Sequence, residues 1–160
     1  MLDEAAFAEW DHVFERAFAG AWRALPDAGA AVAALRSAGL VVGALTNAAV
    51  AYQTGKLERA GLAEVPVLVG MDTLGVGKPD PRVFAEACRR LGTSARRTAY
   101  VGDELDIDAV AAARAGLTGV WLDRPGSRRH TIDPAEVAAA RAAGVHVVGS
   151  LAEVVPLLVR

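Results

Sequence analysis

Apolar residues recur along this chain with two different spacings, and their alternation predicts the architecture. Leu2, Ala6, Phe7, Trp10, Val13, Phe14, Ala17, Phe18, Ala21 and Trp22 step by three and four, the signature of one helical face, here strongly aromatic. Pro26 and Asp27 open a second helix, which Gly39 ends as a C-cap glycine. Leu40 to Leu45 (LVVGAL) is continuously apolar, as expected of a parallel strand covered on both faces. A helix from about Ala48 to Ala60, closed by Gly61, leads to a second such run, Val65 to Gly70.

The alternation continues to the end of the sequence. Asp80 and Pro81 have the chemistry of a helix start, Val83, Phe84, Ala87, Cys88 and Leu91 supply its core face, and Gly92 ends it. Thr98 to Gly102 is a third strand, followed by a helix over Asp106 to Ala115, and Thr118 to Leu122 is a fourth. Asp133 and Pro134 open a helix to about Ala143, Val145 to Val148 is a fifth strand, and Ser150 is expected to cap the last helix. Strands and helices in regular alternation predict an α/β domain with a mostly parallel sheet.

Composition narrows the function classes. The 160 residues suit one domain, and 53% apolar with 22% charged residues fits a globular chain. A formal charge of -2 offers nothing to nucleic acid or to an anionic membrane. No apolar run approaches the ~20 residues of a membrane span. Cys88 is the single cysteine and is expected to be plainly buried, which together with the absence of a signal peptide points to the cytoplasm. Lys56 and Lys78 are the only lysines.

Parallel sheets bind ligands beyond the carboxyl ends of their strands, so the polar residues there carry the candidate chemistry. Thr46 and Asn47 follow the first strand, where a hydroxyl, a backbone N–H and a carboxamide suit either a phosphate oxygen or the start of the next helix. Lys78 follows the second, in GVGKPDPRVF, between a glycine-rich loop and a proline that restrain it. It is either solvated or aimed inward, to neutralise a carboxylate or a phosphoryl group. Asp103, Glu104, Asp106 and Asp108 follow the third, crowding four acids into six positions. Such a cluster invites a cation. Asp106 is read as complementing a helix N-terminus and Glu104 as solvated, while Asp103 and Asp108 are hard oxygen ligands of the kind Mg²⁺ takes in ones and twos.

In that order, LTN, GKPDPRVF and VGDELDIDAVAAARAG resemble the haloacid dehalogenase superfamily, and its phosphatase branch more closely than the true dehalogenases. The resemblance runs from about Pro26 to the C-terminus and implies a Rossmann-like three-layer sandwich. It also implies hydrolysis of a phosphate monoester, through an aspartyl-phosphate, on a small phosphorylated metabolite. Thr46, Asn47 and Lys78 would bind the phosphoryl group. Lys78 would also stabilise the nucleophile, Asp103 would hold Mg²⁺ directly, and Asp108 would support the metal through water.

The family's nucleophile motif, Asp-x-Asp after an early strand, has no counterpart here, because Asp106-Ile107-Asp108 already belongs to the metal motif. Residues 1–25 are accordingly read as the remnant of a helical cap, and 26–160 as a core lacking its first strand. The family places that strand between those ending at Thr46 and Asp103. An empty slot would strand about ten backbone groups at ~1 kcal/mol each, comparable to the stability of a whole domain. The flanking strands therefore pair directly, another segment fills the gap, or the sequence is a fragment. The expectation is a phosphatase-type domain that is inactive or weakly active, with Mg²⁺ weakly held; the alternative is a noncatalytic binding or assembly module. A receiver-like phosphoacceptor domain would carry its acids first and its lysine last, the reverse of the order here. The aromatic face of Phe7, Trp10, Phe14, Phe18 and Trp22 is expected either to pair in a two-fold homodimer or to fold back onto its own sheet.

Overall fold

Two short parallel sheets, rather than one, organise the chain. The structure is a computed structural model and describes residues 22–124, 126 and 131–159. Most of the expected N-terminal helix, with Phe7, Trp10, Phe14 and Phe18, lies outside the described residues. Helix α1 (Ala28–Ser37) leads to β1 (Ala44–Leu45), α2 (Val50–Arg59), β2 (Val67–Val69) and a single helical turn, α3 (Met71–Leu74). Then come α4 (Pro81–Leu91), a 3₁₀ turn at Ala95–Arg97, β3 (Ala99–Gly102), and a π-helical turn (Leu105–Val110) that runs into α5 (Ala111–Arg114). The chain continues through β4 (Thr118–Leu122), α6 (Pro134–Ala142), β5 (His146–Val148) and α7 (Leu151–Leu158).

Strand β1 pairs with β2, and β4 lies between β3 and β5, every pairing being parallel. Strands β1 and β3 are edges, and they are not hydrogen-bonded to one another. The five expected strands are all present, but the first two are short. Leu40 to Gly43 fall outside the ladder, and the register between β1 and β2 is irregular. A strand with a neighbour on one side only has half its polar backbone groups to pair, which is why this apolar run reads longer than it folds.

Alternation sorts the core into layers. Val120 and Leu122 face α7 with Val148 and Val154, whereas Trp121 faces the opposite way, into Leu105, Ala109, Ala140 and Val145. A third cluster joins Val69 of β2 to Val83, Phe84 and Cys88 of α4 and to Ala111 and Ala112 of α5. Helices therefore cover both faces, as the three-layer reading requires, and Cys88 is buried as expected. Asp80 and Asp133 cap their helices by accepting from the N–H of Arg82 and Ala135. Ser150 does not cap α7: its hydroxyl donates to Glu153, and the Leu151 N–H donates to Asp27 at 2.7 Å. Asp27 also accepts from Arg124 at 2.6 Å, tying the start of α1 to the end of β4 and the start of α7. A desolvated carboxylate would rise in pKa, but these hydrogen bonds win and hold it below its usual value. Trp22 packs edge-on against Tyr52 of α2, its ring centroid 5.5 Å away.

Candidate active site

The polar residues after β1, after β2 and after β3 converge at one mouth. Thr46 continues the pairing of β1, its N–H donating to the Val69 carbonyl at 2.9 Å. Its hydroxyl accepts from the Ala48 N–H at 3.1 Å and reaches Gln53 at 3.5 Å, so it shapes the turn instead of capping α2. The cap comes from elsewhere. Asp72 of α3 accepts from the Val50 N–H at 3.0 Å, a contact across the fold that no local pattern announces.

Asn47 clamps the loop that carries the lysine. Its amide donates to the Lys78 carbonyl at 3.0 Å, and its Oδ1 accepts from the Lys78 N–H at 2.7 Å. Gly77 makes room for this grip, because a Cβ there would stand 2.6 Å from Asn47 Oδ1. The clamp leaves the Lys78 side chain facing inward, only 11% exposed, so the solvated-lysine reading does not hold. Lys78 Nζ donates to Asp108 Oδ1 at 2.6 Å and to the Tyr100 hydroxyl at 2.7 Å. An ammonium has three donors, so one is left for a ligand.

Asp108 reaches that position because the backbone departs from an ordinary α-helix. The N–H groups of Asp108 and Ala109 both point to the Glu104 carbonyl, at 3.2 and 3.4 Å, which widens the first turn. The Asp108 side chain is thereby buried, and its Oδ2 accepts from the Glu104 N–H at 3.1 Å. Gly102 is required beneath it, since any Cβ there would collide with the Asp108 carboxylate. Asp103, just after β3, is exposed, its carbonyl pinned by the Trp121 indole N–H at 3.0 Å. Asp106 is exposed and accepts from the Ile107 N–H, in keeping with a helix start, whereas Glu104 is half-buried and not solvated as expected.

Tyr100 completes the constellation and was not among the expected site residues. Its hydroxyl donates to the Leu45 carbonyl at 3.1 Å and so joins β3 to β1 where no ladder does. Burial, and then the nearby Asp108 and Asp103 carboxylates, push its pKa far above the usual phenol value, so it remains a neutral donor. The available signal was its place in the third strand, whose end carries the acids; its ring packs edge-on against Phe84 of α4.

Among the described residues no three His, Cys, Asp or Glu side chains group as a metal cage. Two carboxylates still match what Mg²⁺ takes from protein. Asp103 is open, whereas both Asp108 oxygens already accept hydrogen bonds. That donor set fits a loosely held ion that keeps most of its water.

Three comparisons bear on this geometry. The model of haloacid dehalogenase-like hydrolases matches residues 2–116, a region that includes the N-terminal segment as well as the three motifs. The glyceraldehyde 3-phosphate phosphatase of Methanopyrus kandleri is 39% identical over 100 residues, 62% of this chain and 43% of its own length. The phosphoserine phosphatase of Thermus thermophilus is 41% identical over 100 residues, 62% of this chain and 40% of its own. The chain thus spans about two fifths of these relatives. A phosphatase from Thermococcus onnurineus superposes with a TM-score of 0.68 at 28% identity, covering 84% of this chain and 57% of that one.

Proposed function

Since the chain belongs to the haloacid dehalogenase-like hydrolase family, we propose that it binds a small phosphorylated metabolite at the mouth between β1 and β3, as a phosphatase-type domain. The observation that carries this reading is the Lys78–Asp108 pair at 2.6 Å, nearly buried where the two strands end. The names of the two phosphatase relatives add support, since both specify small phosphate monoesters.

The roles follow from the contacts. The third N–H of Lys78 meets a phosphoryl oxygen, and the Thr46 hydroxyl a second. Asn47 has its carboxamide committed to the Lys78 backbone, so it contributes its own N–H and holds the lysine in place. Phosphatases of this family generally use Mg²⁺, which supplies positive charge for the phosphoryl group. Asp103 would hold it directly and Asp108 through water. Asp108 cancels the charge of Lys78, and Asp103 adds a negative one, so a phosphate dianion finds no net attraction from these side chains alone. Binding without Mg²⁺ should therefore be weak.

Among the described residues no attacking carboxylate accompanies this set. Asp108 is engaged with Lys78, and Asp106 is exposed in the π-helical turn. Residues 1–160 by themselves are therefore expected to turn over phosphate esters negligibly. The noncatalytic binding or assembly module is the second reading, and the divided sheet favours it. Both halves can be tested with p-nitrophenyl phosphate and inorganic phosphate at saturating Mg²⁺. The expected result is phosphate binding, lost in Lys78→Ala and weakened in Asp103→Asn, with no ester hydrolysis above a protein-free blank. A robust Mg²⁺-dependent rate abolished by both substitutions would show that the chain is a complete enzyme. Absence of phosphate binding would remove the site assignment.

A further inference from the structure

Both ends of the Lys78 side chain are fixed: Asn47 holds its backbone, and Asp108 and Tyr100 hold its ammonium. We propose, resting on the phosphate-binding reading, that Tyr100 is a positioning residue of this site. Its hydroxyl aims the ammonium at the phosphoryl group and does not meet that group itself.

The count of protons assigns the role. A phenol carries one, and at Tyr100 it goes to the Leu45 carbonyl at 3.1 Å. Toward Lys78, 2.7 Å away, the oxygen can therefore only accept. With its proton spent, the hydroxyl has nothing to donate to a phosphoryl oxygen, which is itself an acceptor. The ammonium does: of its three N–H groups one goes to Asp108, one to Tyr100, and the third is left for the ligand. The oxygen that directs them is held in turn, because the Tyr100 ring packs edge-on against the fully buried Phe84, with centroids 5.3 Å apart.

Asp108 cannot do this alone. One contact at 2.6 Å leaves a flexible four-carbon stem free to swing about it, and the third N–H swings with the stem. A second acceptor on a rigid ring removes that freedom before the ligand arrives, so less ordering is left to oppose binding. The two partners also differ in what their loss does. Removing the Asp108 carboxylate changes the charge of the site, whereas Tyr100→Phe keeps the charge and the ring and deletes one oxygen. A weaker grip on phosphate in that variant therefore reports aim rather than net charge.

The chain has only two lysines, so selective ¹⁵N labelling of lysine in the full chain gives two amine signals. Lys56, its Nζ 5.9 Å from the Trp22 ring centroid, is the control. The Lys78 amine protons should exchange slowly with water, and about tenfold faster in Tyr100→Phe, with Lys56 unchanged. Inorganic phosphate at saturating Mg²⁺ should bind the variant about five- to tenfold more weakly. A hydroxyl that only tied β3 to β1 would lower stability and leave the Lys78 signal as it was. Unchanged Lys78 exchange, or full phosphate affinity in the variant, would overturn the proposal. A wild-type chain that binds no phosphate would overturn the phosphate reading, and the amine signal would still decide whether Tyr100 holds Lys78. Should Tyr100→Phe not fold, 3-fluorotyrosine incorporation weakens the oxygen as an acceptor while keeping the hydroxyl. It should speed Lys78 exchange by about twofold, and no change there would equally sink the assignment.

Discussion

Strands β3 and β4 are equally apolar and hydrogen-bonded neighbours, yet they end in different environments. Trp121 of β4 is 1% exposed, and only the first residue of that strand escapes full burial. Every residue of β3 is merely half-buried. The difference does not come from apolar content, since TAYVG and TGVWL are both largely apolar runs that open on a threonine. It comes from position: β4 has a strand on each side, whereas β3 has one on one side and a groove on the other. The pair β1–β2 shows the same effect more strongly, and Val41, in the run leading to β1, is 73% exposed. Burial of an apolar strand is thus a property of its neighbours.

Substitutions on either side of that contrast should separate in magnitude. Trp121→Ala removes a large buried ring at the centre of the complete sheet and should cost about 3–5 kcal/mol in urea denaturation. Lys78→Met, at the mouth, leaves the buried Asp108 carboxylate without its cation and should cost about 2–4 kcal/mol. Adding Asp108→Asn to it should recover part of the loss, and a double variant less stable than Lys78→Met alone would contradict the pairing. Asn47→Ala forfeits both hydrogen bonds to the Lys78 backbone, about 1–2 kcal/mol, and should weaken phosphate binding though the lysine remains.

Acid gives a gentler probe of α4, which packs against both parts of the sheet. Hydrogen bonds from Arg82 hold Asp80 at about 2, and those from Arg89 and Arg90 hold Glu86 at about 2, against ordinary values of 3.8 and 4.5. A carboxyl depressed in the folded state stabilises it above the unfolded value and ceases to do so as pH falls through the folded one. Thermal stability should therefore decline between about pH 4.5 and about pH 2, and Glu86→Gln should flatten part of that slope. The arginine partners are solvent-exposed, so the effect is small. The smallest change belongs to the open edge: Val41→Ala should alter stability by no more than about 0.5 kcal/mol. A larger cost there would mean that the groove is filled in solution.

Sequence spacing located five strands, the helices between them and the three polar clusters, because each depends on local rules. Period, turn glycines and the Asp-Pro starts at Asp80 and Asp133 act within a few residues of themselves. Lys78, Thr46, Asn47, Asp103 and Asp108 could be chosen for the same reason, since strand ends in a parallel sheet share one side. What spacing could not supply is every contact made at long range. Tyr100 reaching Leu45, Asp72 capping α2 and Asp27 capping α7 join residues 55, 22 and 124 positions apart. The π-helical turn that buries Asp108 also escaped, because an α-helix and a widened first turn present the same pattern of alanines and acids.

Residue chemistry and order alone determined that this is an α/β chain with an amine and two carboxylates at the ends of parallel strands. Apolar period and the placement of glycine, proline and aspartate are encoded one segment at a time. Only the tertiary structure decided that Lys78 is spent on Asp108, that Asn47 grips the lysine's backbone, and that the sheet is divided. Those outcomes depend on which groups meet across the fold. A backbone edge is satisfied or left open by its neighbour in space, and no stretch of sequence carries that information by itself.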